Sequence, residues 1–218
     1  MTERPGGLRE RAGSAEPRAK RRSMELICVR HGRTAWNADN RFQGQSDIPL
    51  DDEGRAQATA LAALLRDQRI DAAVSSDLSR ATETARIVLG PRDVPLRLDP
   101  DWREMRFGDW EGLTWTEIVA ANPHLDPTGA TTVKRYTPRG GESFDELAAR
   151  VGRAALRIAG EVPDDGVALV ATHAGPLHAL LTVLLGDELK VRFSTASVTR
   201  FRCTDGVWTL ARLNQTAS

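Results

Sequence analysis

The sequence predicts an α/β fold: a three-layer sandwich with a mainly parallel central sheet flanked by helices, and one antiparallel edge strand. Short continuous apolar runs, such as those ending at Arg30 and at Ala171, alternate with longer stretches of helical period. That order buries parallel strands between helices. Polar turns bearing His, Arg or Glu follow several of the runs, which is where ligand sites lie in such sheets. The last two runs are joined by Asp205 and Gly206, a hairpin signal that supplies the antiparallel member.

The elements follow in chain order. Glu25 to Arg30 is an apolar segment ending in charge and reads as a buried strand, with His31 and Gly32 opening a polar loop. Asp51, Asp52 and Glu53 put negative charge at the start of a helix running to about Asp67, with Ala58, Leu61, Leu64 and Leu65 at helical spacing. Asp71 to Ser75 is a second strand. SSDLSRATETARIVLG then carries cap candidates, an amphipathic run and a terminal Gly90. Val94 to Leu98 forms a third strand, followed by a loop with Trp102, Glu104, Phe107 and Trp110. Thr114 with Glu117, and Ser143 with Glu146, match the capping box and open helices ending near Asn122 and Gly160. Pro123 to Gly141 lacks apolar period and reads as a long loop over the site. Val167 to Ala171 is a strand, THAG the turn after it, and Pro176 to Leu185 a buried helix. Ser197 to Cys203 and Val207 to Leu213 form the closing hairpin.

With 218 residues, the chain suits one large domain. Residues 24–218 are read as that domain, and residues 1–23, rich in Arg, Gly and Pro, as a disordered basic tail without the apolar core of a secretory signal. Met24 directly precedes the first strand and offers an alternative translation start. Thirty Lys plus Arg balance thirty Asp plus Glu, so no global field draws the chain to nucleic acid or an anionic membrane. Any anion site has to be built locally. The two cysteines, Cys28 and Cys203, lack CxxC or other metal-ligand spacing, which favours a reduced, cytoplasmic setting. The longest apolar run, Gly175 to Leu185, falls short of the ~20 residues a membrane span requires.

Four strand ends carry candidate chemistry: Arg30 with His31, then Arg80, Glu104 and His173. Two guanidinium forks suit phosphate oxygens. A neutral imidazole can act as nucleophile there, a second can hold phosphate, and a carboxylic acid can protonate the departing oxygen. Singly, each residue reads as structural or solvated; their joint appearance at successive strand ends is the signal. Trp36, Trp102, Trp110 and Trp115 read chiefly as core packing, His124 as an exposed loop residue and His178 as structural. Cys28 is rejected as a nucleophile because its spacing to Arg33 is one residue short of the Cys-x5-Arg loop and a cysteine in a buried strand is a poor thiolate.

The segments VRHGRTAWN, RFQGQSDIPLDDEGRAQA, SSDLSRATETA, REMRFGDWEG and VATHAGP resemble the successive motifs of the histidine phosphatase superfamily, phosphoglycerate mutase-like branch, from about Glu25 to Leu213. The resemblance implies that His31 is phosphorylated, that Arg30, Arg80 and His173 hold the phosphoryl oxygens, and that Glu104 is proton donor and then base. It adds Asn37 as a phosphate contact, Gln43 and Gly44 as the loop bordering substrate, and the backbone of Ala174. It implies no metal and no cofactor. RFGDWEGLT is like the phosphatase members, so hydrolysis of a small phosphate monoester, such as a sugar phosphate, a phosphoglycerate-type or a nucleoside-like substrate, is favoured. A primer-dependent mutase and a non-catalytic phospho-ligand module are the alternatives. Arg135 and Arg139 are candidates to read a second acidic group on the substrate and equally read as solvated loop charges. No nucleic-acid or membrane partner is expected, and a homodimer is compatible with the chain.

Overall fold

The computed structural model describes residues 23–125, 136–186, 189 and 191–217. The predicted tail up to Arg22 and Arg135 of the long loop lie outside them. Six strands form one sheet in the order β3-β2-β4-β1-β5-β6: β1 (Ser23–Arg30), β2 (Ala72–Ser75), β3 (Leu96–Leu98), β4 (Gly166–Thr172), β5 (Val198–Thr204) and β6 (Val207–Gln215). β1 to β4 run parallel, whereas β5 is antiparallel to both β1 and β6. The antiparallel strand therefore belongs to the edge pair, one place in from the margin. Asp205 and Gly206 both take positive φ, 52° and 83°, the conformation a tight hairpin turn demands.

Strand periodicity sorts the core. Leu26, Cys28, Ala168 and Val170 face one way, and Ile27, Val29, Val167 and Leu169 the other, each set joining a separate buried cluster. The first cluster is closed by α5 (Phe144–Glu161) and α6 (Ala174–Leu185); the second by α2 (Asp52–Leu64) and α3 (Ser79–Leu89). On α5 the buried stripe is Leu147, Val151, Ala154, Ala155 and Ile158, a helical period. The short helices α1 (Ala35–Ala38) and α4 (Trp115–Ala121) complete the set of α-helices among the described residues.

Both predicted capping boxes form, on Thr114 with Glu117 and on Ser143 with Glu146. Several boundaries move. Ser23, assigned to the tail, is the first residue of β1; it pairs with Thr204, and its hydroxyl donates to Asp165 at 2.6 Å. The helix expected to reach Asp67 ends at Leu64, and β3 keeps only three residues of its expected span. THAG is not a free turn: His173 is the N-cap of α6 and Ala174 its first residue. Its glycine is a helical residue, a placement that turn propensity argues against and tertiary contact enforces. Trp102 is fully buried, Trp110 lies in the core and Trp115 packs against it, as expected.

Candidate active site

β1 and β4 pair along seven residues, ending at Arg30 opposite Thr172. His31 and His173 follow at once, so the sheet brings the two imidazoles together, ring centroids 5.0 Å apart. His31 is nearly sealed, and its Nδ1 lies 2.7 Å from the carbonyl of Gly32. A carbonyl only accepts, so Nδ1 carries the proton and Nε2 keeps its lone pair. His173 Nε2 lies 2.9 Å from Ser76 Oγ, at the end of β2, while Nδ1 has no partner.

Arg80, in the first turn of α3, is fully buried and donates to the carbonyls of Ser46 at 2.8 Å and Gly44 at 2.7 Å. Arg30 donates from Nη1 to the Phe193 carbonyl. Both retain an unpartnered Nε. Among the described residues six buried side-chain polar atoms lack a protein partner, and four of them belong to Arg30, Gln43, Arg80 and His173. Buried polar atoms are normally satisfied, so four unpartnered atoms among these residues are a departure that calls for an explanation.

The electrostatics agree. Burial, then Arg80 and Arg30, push the His31 pKa well below its ordinary value, and His173 follows the same way. Both rings are neutral at physiological pH. Burial lowers Arg80 to about 10, still charged. Glu104 has opposing influences: burial raises its pKa, against hydrogen bonds from the Met105 and Gly175 N–H groups and the charges of Arg80 and Arg30. Burial wins, which favours the neutral acid relative to an exposed glutamate. Its Oε1 accepts from Met105 at 2.8 Å and Gly175 at 2.9 Å.

The remaining predicted residues divide. Gly44 stands beside Arg80 through its carbonyl, and its φ of +53° needs glycine. Gln43 is buried with Oε1 unpartnered. Ala174 opens α6, where an N–H has no intrahelical acceptor. Asn37 is used as a cap: its Oδ1 accepts from the Thr34 N–H and hydroxyl, at 3.2 and 3.1 Å. Arg139 is exposed, as is His124, which stacks edge-on with Tyr136. Burial drives the Cys28 thiol pKa far up, as its place in the strand predicts.

Sequence reasoning missed four supporting groups. Ser76 orients His173. Thr84, one turn beyond Arg80, accepts from the Gly32 N–H at 3.1 Å. Gly175 leaves room for Glu104, since a Cβ there would stand 2.2 Å from Oε1. Glu111 accepts from the N–H groups of Gln45, Ser46 and Phe107 and so fixes the loop that holds Arg80. The i, i+4 spacing of Arg80 and Thr84 was the one legible signal among them.

The sequence matches the profile of the histidine phosphatase superfamily (branch 1) over residues 26–216. The chain belongs to this superfamily. Among curated histidine phosphatase relatives, it is 36% identical to phosphoglycerate mutase-like protein 4 of Arabidopsis thaliana over 85% of the chain and 83% of that protein. It is 38% identical to glucosyl-3-phosphoglycerate phosphatase of Mycolicibacterium vanbaalenii over 76% of each. A solved mycobacterial glucosyl-3-phosphoglycerate phosphatase in complex with VO3 superposes with a TM-score of 0.80 at 31% identity, covering 88% of this chain and 99% of that one. With these relatives the chain is placed among the phosphoric monoester hydrolases of the histidine phosphatase superfamily.

Proposed function

We propose that this histidine phosphatase hydrolyses small phosphate monoesters through a phosphohistidine on His31, with Glu104 as proton donor and without a metal. The observation that carries the reading is the buried His31 imidazole, proton held on Nδ1 by Gly32 and Nε2 left basic, beside two guanidinium groups that each keep a free donor. In the first step the Nε2 lone pair forms a P–N bond as the ester P–O bond breaks. The electron pair leaves on the alcohol oxygen, which takes the Glu104 proton. In the second, water attacks phosphorus, passes its proton to the Glu104 carboxylate, and the P–N pair returns to Nε2. Inorganic phosphate departs. Arg30, Arg80, His173 and the Ala174 N–H hold the phosphoryl oxygens, and the Asn37 amide donates to them. Gln43 and Gly44 border the leaving group.

Fixed charge and positioning supply most of the stabilisation in such transfers. The arginines provide here the positive charge that a metal provides elsewhere. A cytoplasmic setting accords with two cysteines that are both free. The test is hydrolysis of an aryl phosphate in excess EDTA by the wild type and His31→Ala, with acid-labile phosphoenzyme trapped during turnover. The expected result is chelator-resistant turnover and trapping, with kcat in the variant down by on the order of 10³-fold or more and no phosphoenzyme. Turnover surviving in His31→Ala defeats the mechanism. Isomerisation dependent on a bisphosphorylated primer, without hydrolysis, would make the protein a mutase.

A further inference from the structure

A further arginine among the described residues is largely buried, and its bonding is unlike that of Arg30 and Arg80. Arg150, on α5, uses all five of its N–H donors within the protein. Nη1 donates to the carbonyls of Asp101 and Arg103, both at 2.8 Å, and Nη2 to the carbonyl of Glu104 at 2.9 Å. Nη2 and Nε also grip the two carboxylate oxygens of Glu142, at 2.5 and 3.1 Å. Glu142 in turn accepts from the Arg106 N–H at 2.9 Å, and its own N–H donates to the Arg106 carbonyl at 2.9 Å. The two side chains are only 11% and 8% exposed.

A guanidinium with no spare donor cannot bind substrate. What it can do is hold backbone, and the backbone it holds lies on both sides of Glu104. Resting on the reading of Glu104 as proton donor, we infer that the Glu142–Arg150 pair is the positioning device for that acid. It clamps the preceding carbonyls through Arg150 and the N–H two residues on through Glu142. The Oε1 contacts to Met105 and Gly175 orient the carboxyl; the pair fixes the segment from which it extends. Gln45 adds a bond from Nε2 to the Glu104 carbonyl at 3.3 Å, from the loop next to Gly44. Bidentate geometry is the part lysine cannot reproduce.

Misplacing a general acid penalises poor leaving groups and spares good ones, because only a basic alkoxide needs the proton. The experiment compares kcat/KM for an alkyl phosphate and p-nitrophenyl phosphate in the wild type, Glu104→Gln, Arg150→Lys and Glu142→Gln. kcat/KM reports steps up to phosphoenzyme formation, so the later base role of Glu104 does not enter. Glu104→Gln should lose ~10²-fold or more on the alkyl ester relative to the aryl one. Arg150→Lys and Glu142→Gln should show the same selective loss at about 10-fold, smaller because the acid is displaced and not removed. If both variants fall equally on the two esters, or stay at wild-type values, while Glu104→Gln discriminates, the pair is merely structural and the inference fails. If Glu104→Gln itself does not discriminate, the assignment of the acid fails first. Should Arg150→Lys not fold, Glu142→Gln carries the comparison alone, and an equal loss there is equally fatal.

Discussion

A hydrogen at one Cα sets the place of a carboxyl group. Gly175 is the second residue of α6, and a Cβ there would lie 2.2 Å from Glu104 Oε1 and 3.3 Å from a Leu147 methyl. The obstructing atom is the end of a side chain, so the fold can yield where the chemistry cannot. Alanine is also a better helix former than glycine by ~1 kcal/mol. Gly175→Ala should therefore keep its Tm within a few degrees of the wild type and lose on the order of 10-fold or more in kcat/KM on an alkyl phosphate. Thermal melts beside two-ester kinetics decide it. A large drop in Tm would mean that the helix, and not the carboxyl, gives way.

At the scale of elements, two of the four expected strand ends were legible because the chemical residue stands directly after an apolar run, His31 after β1 and His173 after β4, whereas Arg80 lies in the first turn of α3 and Glu104 six residues beyond β3. The two capping boxes were legible for a similar reason, since Ser143 and Glu146 are near in sequence and make one local motif. What joins distant segments was not legible. Nothing near Glu104 announces Gly175, 71 residues on, or the carbonyl grip of Arg150, 46 residues on. Nor could a sequence decide whether burial or two arginines would govern the Glu104 pKa, because the answer depends on how tightly the site closes. The α5 cap matters beyond its own helix, since that helix delivers Arg150. Ser143→Ala should cost ~0.5–2 kcal/mol in denaturant unfolding. A value near zero would show that the packed stripe from Leu147 to Ile158 holds the first turn unaided.

For the whole molecule, the buried imidazoles make stability depend on pH with a definite sign. Both His31 and His173 have folded-state pKa values well below the ordinary value. The unfolded chain takes up protons near pH 6.5 and the native protein does not, so stability present above that pH is lost as the pH falls. The slope is at most about 1.4 kcal/mol per pH unit for each imidazole. Glu104 acts oppositely: its raised pKa contributes stability at low pH that disappears as the pH climbs through the folded-state value. Between pH 6.5 and 5 the two histidines dominate. The wild type should lose Tm steadily over this window, and His173→Gln should lose it less steeply. Parallel curves would mean that His173 does not stay neutral in the folded protein.

The seven-residue parallel ladder between β1 and β4 has one more consequence. It sets the two imidazoles directly after paired strand ends, so their spacing is inherited from sheet register. Changes in the loops that border the leaving group can thus leave the spacing of the imidazoles intact, although Arg80 still depends on the Gly44 and Ser46 carbonyls. Randomising the exposed Asp39 and Asn40, outside that ladder, should therefore leave phosphoenzyme trapping intact, and its loss would show that the cradle depends on this loop as well.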